Sequence, residues 1–406
     1  MKILLVHNRY QIPGGEEVVF EQERQLLERA GHQVLTYCRT NFEADTYTGL
    51  RRLNLVKNIA WSTDTKQELG RLLRDEKPQI VHVHNTFMMM SPSVFAACRE
   101  AGVPVVQTLH NYRLFCPAAN FVRDGKPCEE CVEHTLLRGI QYGCYRQSRP
   151  ATATVALMLQ IQRKRALFAD SYVALTDFSR NKFIACGIPA EKLSVKPNFV
   201  YPDPQERTAA GSHAVAVGRL SEEKGLHTLL IAWKRLHSSI PLSIVGEGPL
   251  LPELQKKVSD LKMTGITFHG RLSHEKTLQM IKSARFLIVP SECYENFPMG
   301  IAEAFACGVP VLCSDIGGMR EIVEESRTGL RFTAGNSADL ANKVAWAWSH
   351  PEQLVAMGKR ARREYENRYT AEKNYPLLME IYRRAAATET TETPVEAEMR
   401  FSFSQG

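Results

Sequence analysis

Two carboxylates in one short stretch of the chain could bind a ligand rich in hydroxyl groups. Glu295 and Glu303 are eight residues apart. Glu295 lies in a loop after an apolar run that ends at Pro290, and Glu303 lies about one turn inside a predicted helix. Proline suits a first helical turn and glycine a helix end, so we expect the helix to begin at Pro298 and end before Gly308. Carboxylates accept hydrogen bonds from vicinal hydroxyls, which a ribose or a hexose provides.

The start of the same helix is a predicted phosphate site. Backbone N–H groups in the first turn of a helix have no partner within the helix, and they attract anions. The residues placed there are Asn296, Phe297, Met299 and Gly300. An ordinary helix with surface glutamates is the alternative, and the small side chains around Glu303 argue against it.

A second segment supplies positive charge. Residues 218–225 (Gly-Arg-Leu-Ser-Glu-Glu-Lys-Gly) follow an apolar strand and precede a helix. Arg219 and Lys224 can neutralise a diphosphate, the first through its planar fork and the second as a point charge. Strand-to-helix loops often carry basic residues, so this signal is weak alone. Together with the two carboxylates it describes a site for a nucleoside diphosphate sugar.

Four of the ten cysteines lie within residues 116–144. Cys116, Cys128, Cys131 and Cys144 have a spacing that permits a tetrahedral zinc site. The prolines and glycines of this segment indicate an irregular insertion with little core of its own, which a metal would stabilise. We expect structural zinc here, with free thiols packed in a loop as the alternative.

The elements that carry these motifs alternate between strand and helix, which is typical of a parallel sheet. A proline-bearing connector at 198–204 interrupts the alternation, after which a new cycle begins. We therefore predict an α/β fold with two doubly wound, Rossmann-like domains, residues 1–200 and 201–385, facing across a cleft in which the ligand binds. Residues 351–385 are predicted to be helical, and we expect the C-terminal helices to cross back to the first domain. Residues 386–406 are predicted to be a disordered tail. The predicted strands are 2–7, 33–37, 80–84, 103–109, 171–175, 193–197, 213–217, 242–245, 266–269, 286–289, 310–313 and 330–332.

Composition and charge narrow the class of protein. The chain has 406 residues, 44% hydrophobic and 23% charged, which excludes a wholly disordered or collagen-like protein. Residues 1–200 contain 26 basic and 19 acidic side chains and the remainder 25 of each, so the net charge of +7 lies in the first half. No apolar run suits a membrane-spanning helix, and the first residues lack the pattern of a signal peptide, so we expect a cytoplasmic protein.

The basic first half could approach an anionic surface. Residues 50–61 form a basic, amphipathic segment that could bind the inner face of a membrane as a peripheral helix. A surface helix that packs on the core is an equal alternative. No pattern typical of nucleic-acid binding is present, and we expect no nucleic-acid partner.

The combination of these motifs resembles the retaining glycosyltransferases of family 4, which have the GT-B fold. The resemblance covers nearly the whole chain to about residue 385. It rests on residues 218–225 and on the two glutamates followed by Ala-Cys-Gly-Val-Pro-Val. In the first half it includes 13–16 (Pro-Gly-Gly-Glu), 81–84 (Val-His-Val-His) and 108–110 (Thr-Leu-His). The pattern is specific for the family and poorly specific for the sugar.

The resemblance implies a role for each motif. Glu303 would hold the ribose hydroxyls of the donor and Glu295 would lie beside the hexose hydroxyls. Arg219 and Lys224 would bind the diphosphate and assist its departure, so that the catalytic set is His110, Glu295, Arg219 and Lys224. Gly14 and Gly15 are assigned to the donor site, where Gly15 would bring backbone near the donor phosphate or the acceptor. His110 would contact the transferred sugar. The family usually has Glu-Gly-Phe-Gly where this chain has Glu-Asn-Phe-Pro, so proline removes one N–H donor at position 298.

Three further expectations concern chemistry. The chain contains no Asp-x-Asp, so we expect catalysis without Mg²⁺ or Mn²⁺ and no other catalytic cofactor. Retention in the family is thought to proceed on one face of the sugar, with the departing phosphate as base, and we assign no protein nucleophile. His82 and His84 are placed on opposite faces of one strand, with His84 lining the cleft. Asn111 stands where the family often has aspartate.

The predicted activity is transfer of a hexose-type sugar to a polysaccharide or lipid-linked glycan. A sugar-nucleotide epimerase of the same fold is the nearest rival. A protein that binds a nucleotide sugar without turnover is the alternative outside enzymes.

Overall fold

The computed structural model describes residues 1–12, 14–49, 51–165, 168–209, 211–237 and 240–388. Its strands are β1 Lys2–Arg9, β2 Gln33–Thr40, β3 Ile80–Asn85, β4 Val105–Thr108, β5 Val122–Arg123, β6 Lys126–Pro127, β7 Ser171–Ala174, β8 Leu193–Val195, β9 His213–Val217, β10 Leu242–Val245, β11 Ile266–Phe268, β12 Ala284–Val289, β13 Val311–Ser314 and β14 Gly329–Phe332.

The α-helices are α1 Gly15–Arg29, α2 Arg51–Ala60, α3 Thr63–Glu76, α4 Ser93–Ala101, α5 Glu130–Glu133, α6 Leu136–Tyr142, α7 Arg149–Lys164, α8 Asp177–Ala185, α9 Leu226–Arg235, α10 Leu251–Asp260, α11 His274–Ser283, α12 Met299–Ala306, α13 Gly317–Ile322, α14 Ser337–Ser349, α15 Pro351–Arg368 and α16 Ala371–Thr388.

Two compact units divide the chain. Unit 1 comprises Met1–Phe121, Cys128–Lys196 and the chain from Tyr375, and unit 2 comprises Val122–Pro127 and Pro197–Asn374. The first long segment therefore ends at Lys196 rather than at residue 200, and the hairpin of β5 and β6, inside the predicted cysteine-rich insertion, groups with unit 2.

Unit 1 contains a parallel sheet in the order β2-β1-β3-β4-β7-β8. Every residue of β3 is buried, as expected for a strand covered by helices on both faces. The strand order reverses between β1 and β3, so the loops that follow these two strands flank the switch point where ligands of such sheets bind.

Unit 2 contains a second parallel sheet, in the order β11-β10-β9-β12-β13-β14. This is the Rossmann order, with its switch point between β9 and β12. Its core surrounds Trp233, which is fully buried and donates a hydrogen bond of 2.8 Å to the carbonyl of Ile240. The two doubly wound domains predicted from the sequence are thereby confirmed.

The last helix groups with unit 1 from Tyr375 onward, as predicted for the C-terminal helices, whereas α15 groups with unit 2. Tyr382 packs edge-on against His82, with ring centroids 5.5 Å apart, and Tyr375 Oη lies 2.9 Å from His32 Nε2. The predicted helical region 351–385 is two helices, because Thr370 caps a new one by accepting a hydrogen bond from the N–H of Lys373. Residues 386–388 are helical, and 389–406 of the predicted tail lie outside the described residues.

The basic segment 50–61 contains helix α2, whose apolar side packs within unit 1. Leu55 and Ile59 contact a buried cluster that includes Val155, Met158 and Leu159 of α7. This packing favours the core-facing alternative for the segment. Of the helices in the described ranges, none combines the length and apolar character needed to cross a bilayer.

Candidate active site

The two motif loops of unit 2 follow the strands on either side of its switch point. Residues 218–225 follow β9, and 290–298 follow β12. The loops touch through their backbones, because the N–H of Glu292 donates to the carbonyl of Glu223 over 2.8 Å. Gly225 has a φ of +65°, and a Cβ there would lie 1.9 Å from the carbonyl oxygen of Pro290. Only glycine permits this approach, so the loops are held side by side.

Lys224 and Glu295 form the centre of this arrangement. Lys224 Nζ lies 2.5 Å from Glu295 Oε1, which also accepts a hydrogen bond of 2.7 Å from Ser291 Oγ. Burial lowers the pKa of Lys224, but the neighbouring carboxylate raises it, and the net shift is upward. Burial raises the pKa of Glu295, but the ammonium of Lys224 and the two hydrogen bonds bring it below its ordinary value. Both groups are therefore charged at neutral pH.

Arg219, on the same loop, is paired with a glutamate. Its Nη2 lies 2.7 Å from Glu223 Oε1, and its side chain remains 58% exposed. Ser221 Oγ donates to the same oxygen over 2.7 Å. The exposure leaves the guanidinium free to change partner, because an exposed ion pair is worth only about 0–1 kcal/mol.

Glu303 lies in the second turn of α12, where it is buried. Its Oε1 lies 2.9 Å from Nε2 of His274, the first residue of α11. This partner was not identified from the sequence, because nothing local to either residue signals a contact between two side chains that are 29 residues apart.

The four remaining predicted donor-binding residues of unit 2 lie at or just before the start of α12. Asn296, Phe297 and Met299 are buried, and Phe297 packs edge-on against Tyr369. Helix α12 begins at Met299, so Pro298 is its N-cap and not, as predicted, a residue of the first turn. The helix ends before Gly308, as predicted. The N–H groups of Met299 and Gly300 thus lie in its first turn.

The hydrogen bond between His274 and Glu303 predicts a pH-dependent stability. That bond raises the pKa of His274 above its ordinary value, although burial opposes it. A raised folded-state pKa gives stabilisation that is complete below about pH 6.5 and is lost as the pH rises through the folded pKa. We expect this stabilisation to add less than about 1 kcal/mol to the free energy of unfolding, because the imidazole ring of His274 is partly exposed.

Denaturant unfolding of wild type and of a His274→Asn variant, compared across this pH range, measures the effect. The wild type should lose free energy of unfolding relative to the variant as the pH rises. Parallel pH profiles would contradict the contribution of His274.

In unit 1, Gly14 is the N-cap of α1 and Gly15 its first residue, and both are exposed. The carboxylate of Glu17 holds this turn, accepting hydrogen bonds from the N–H groups of Tyr10 and Gly14. The loop also contacts the end of β4, because Asn111 Nδ2 donates to Glu16 Oε1 over 2.9 Å. Asparagine at position 111 therefore acts as a link between two loops.

His110 follows β4 and is half-buried. Its Nε2 lies 3.0 Å from His84 Nδ1, and the two rings stack with centroids 5.2 Å apart. Burial, and then the neighbouring His84, hold the pKa of His110 well below its ordinary value. His110 is therefore neutral at neutral pH.

The predicted opposite orientation of His82 and His84 is wrong. His82 Nδ1 and His84 Nε2 lie 2.7 and 3.3 Å from the same oxygen, Glu23 Oε1. Residues two apart on a strand point to the same face, so the two rings share one side of the sheet. His84 is buried beneath His110.

The four cysteines of the predicted zinc site are neighbours without being gathered around one point. Burial is the main cause that raises the pKa of Cys131, to about 12. The neighbouring Cys116, Cys144 and Cys128 add to this upward shift. A set of at least three candidate ligand side chains whose donor atoms all lie within 4.8 Å of one another could hold a metal ion. Within the described residues, the only such set is Glu23, His82 and His84. Zinc at the cysteines stays a prediction, and binding would require their sulfur atoms to move closer.

Metal analysis of the purified protein tests the zinc site. We expect about one zinc per chain and a loss of most of it in a Cys131→Ser variant, because a tetrahedral site needs every ligand. Cys38→Ser is the matched control, since Cys38 is exposed and outside the group. A metal-free, stably folded wild type would contradict the prediction.

Comparison with known proteins places both halves of the chain in one family. The model described as Glycosyltransferase Family 4 matches residues 13–204, and that described as Glycosyl transferases group 1 matches residues 210–364. The solved structure of Anabaena Alr3699/HepE in complex with UDP covers 97% of this chain with a TM-score of 0.65 at 19% identity, and this chain covers all of it. The fold is therefore GT-B.

Curated proteins similar to this chain are also glycosyltransferases. The D-rhamnosyltransferase WbpZ of Pseudomonas aeruginosa is 32% identical over 157 residues, 38% of this chain and 41% of that protein. WcaL of Escherichia coli K12, named for glycosyl transfer in colanic acid biosynthesis, is 24% identical over 355 residues, 80% of this chain and 85% of that protein. The chain spans about half the length of WbpZ and of two further curated relatives that it matches, from 41% to 56%. The chain belongs to family 4 of the glycosyltransferases.

Proposed function

We propose that this protein transfers a hexose-type sugar, with retention of anomeric configuration, from a nucleoside diphosphate sugar to a polysaccharide or lipid-linked glycan. The observation that carries the proposal is the contact of Lys224 with Glu295 beside the start of α12. A cation, a hydroxyl-binding carboxylate and free N–H groups in one place match the three chemical parts of an activated sugar.

The comparisons support the donor class. Solved structures of HepE, which has the same fold, contain UDP, UDP with glucose, and UDP-glucose. Relatives are named for rhamnosyl and mannosyl transfer, the latter in O-antigen chains. These names support a sugar nucleotide as donor and a glycan as acceptor for this chain.

The chemistry follows from charge development. As the bond between the anomeric carbon and the diphosphate oxygen breaks, negative charge grows on the leaving group, and Lys224, Arg219 and the N-terminus of α12 stabilise it. The acceptor hydroxyl bonds to the anomeric carbon on the same face, and its proton passes to the departing phosphate. Arg219 would leave Glu223 to bind the diphosphate. No divalent cation is required in this scheme, and no protein nucleophile is assigned.

A donor screen with and without acceptor tests the proposal. Release of nucleoside diphosphate should depend on a glycan acceptor, should yield the same anomeric configuration as the donor, and should proceed in buffer without added divalent cation. An epimerase would alter the donor when no acceptor is present. A protein without turnover would bind the donor and release nothing.

Association with an anionic membrane is a further part of the proposal, because the excess positive charge of the chain lies in residues 1–200. It would place the protein at the inner membrane face, where a lipid-linked acceptor is presented. We expect the protein to co-sediment with vesicles that contain anionic lipid, and salt to weaken this binding. Sedimentation equal to that with neutral vesicles would contradict it.

A further inference from the structure

Unit 1 buries a charged group that the proposed chemistry does not use. Glu23 of α1, His82 and His84 of β3 and Lys196 after β8 are all at most 3% exposed. Lys196 Nζ lies 2.9 Å from Glu23 Oε2. Burial raises the pKa of Glu23, but Lys196 and the two histidines hold it well below its ordinary value, so the carboxylate is ionised.

The donor atoms of Glu23, His82 and His84 are close enough to one another to hold a metal ion. Lys196 argues against that use. Its ammonium already neutralises the carboxylate, and a divalent cation placed beside it would be repelled in a poorly solvated interior. The cluster is better described as an ion pair with two imidazoles on its second oxygen.

These side chains form a connected series that extends from Glu23 to the surface. Glu23 Oε1 lies 2.7 Å from His82 Nδ1 and 3.3 Å from His84 Nε2. His84 Nδ1 in turn lies 3.0 Å from His110 Nε2. His110 is the last side chain of this series. It lines a small cavity of about 40 Å³ together with Thr108, Arg113 and Gln162.

The positions of the protons follow from the direction of this series. Burial, with the neighbouring His82, lowers the pKa of His84 to about 4, so His84 is neutral at neutral pH and carries one N–H. His84 Nε2 and Glu23 Oε1 lie 3.3 Å apart without the geometry of a hydrogen bond. A lone pair on Nε2 would still face this negative charge, so we place the hydrogen on Nε2 and leave Nδ1 as the acceptor. The hydrogen between the two rings must then come from His110 Nε2, which leaves Nδ1 of the neutral His110 ring as an acceptor.

We propose that Glu23 and His84 are positioning residues that fix the Nε2–H tautomer of His110, so that His110 Nδ1 accepts a hydrogen bond from a hydroxyl of the sugar substrate. Within the described chain no protein group bonds to His110 Nδ1, and the ring keeps part of its surface exposed. This inference rests on the proposed function for the identity of the ligand. The direction of the proton chain is a property of the free protein.

Nuclear magnetic resonance of the free protein, labelled with ¹⁵N-histidine, tests the direction. We expect a scalar coupling between His84 Nδ1 and His110 Nε2, with the proton bonded to His110 Nε2 at neutral pH. The signals are assigned with His84→Phe and His110→Asn variants. A proton bonded to His84 Nδ1 would overturn the inference whatever the activity of the protein.

Paired substitutions of His110 test the acceptor atom. The oxygen of asparagine can occupy the place of Nδ1, whereas the amide of glutamine reaches the place of Nε2. We expect His110→Asn to keep roughly tenfold more kcat/KM than His110→Gln, because only the former retains the acceptor. Equal losses, or the reverse order, would overturn the role of Nδ1.

Removal of the relay tests positioning as distinct from folding. His84→Phe keeps a ring in the core but cannot accept from His110, and it should abolish the coupling and lower kcat/KM roughly tenfold. His32→Phe is the control, because His32 bonds Tyr375 in the same unit and not His110. Unchanged kinetics in a folded His84→Phe variant would contradict the inference. If wild type fails to bind any sugar nucleotide, the proposed function fails instead, and the coupling still decides the tautomer.

Discussion

A Lys224→Ala variant is expected to lose about 10²- to 10³-fold in kcat/KM. Lys224 carries a charge that is fixed beside Glu295 before the reaction, and a preorganised charge aimed at a developing anion is worth about this much. Steady-state release of nucleoside diphosphate measures the loss. The effect should fall mainly on kcat, because the charge on the leaving group is greatest in the transition state.

Folding must be separated from catalysis in this variant, because removal of Lys224 leaves Glu295 with Ser291 as its remaining side-chain partner. Thermal unfolding of the variant gives that control. Lys256→Ala is the matched substitution in unit 2, since Lys256 forms an exposed pair with Asp260, and it should keep wild-type kinetics. Transfer by Lys224→Ala within a few-fold of wild type would contradict the assignment of Lys224 to the diphosphate.

A Glu303→Ala variant is expected to bind the nucleoside diphosphate more weakly by about 10- to 100-fold. Hydrogen bonds to a charged acceptor are worth about 1.5–3 kcal/mol, and part of this is offset because His274 holds the carboxylate in the free protein. Titration calorimetry with the nucleoside diphosphate alone measures this loss without the sugar. Calorimetry also separates it from any effect on turnover.

Ribose analogues sharpen this test. Deoxy analogues that lack a ribose hydroxyl should bind wild type more weakly, but should bind Glu303→Ala no worse than the parent nucleotide does. Such non-additivity is the mark of a direct interaction. Additive losses would contradict contact between Glu303 and the ribose.

The positions of the motif loops could be predicted because strands that are buried on both faces are continuous apolar runs. The predicted strand at 213–217 matches β9, and that at 242–245 matches β10. Parallel strands place their carboxyl ends at one edge, so residues 218–225 and 290–298 were expected together. Local sequence rules carry this information, since each strand and each loop is contiguous in the chain.

Local sequence rules could not predict contacts between segments that are distant in the sequence. Glu23 and Lys196 are 173 residues apart, and neither a lone lysine after a strand nor a glutamate in a helix signals a buried partner. His274 and Glu303 meet only because α11 and α12 pack together. His82 and His84 could have been placed correctly, since the two-residue period of a strand puts them on the same face.

The most direct test of the account is a crystal structure with a bound sugar nucleotide, chosen from a panel by thermal shift. The account predicts that Arg219 and Lys224 contact the diphosphate, Glu303 the ribose hydroxyls and Glu295 the hexose. A ligand bound in unit 2 with none of these four side chains in contact, or a site that no sugar nucleotide occupies, would contradict it.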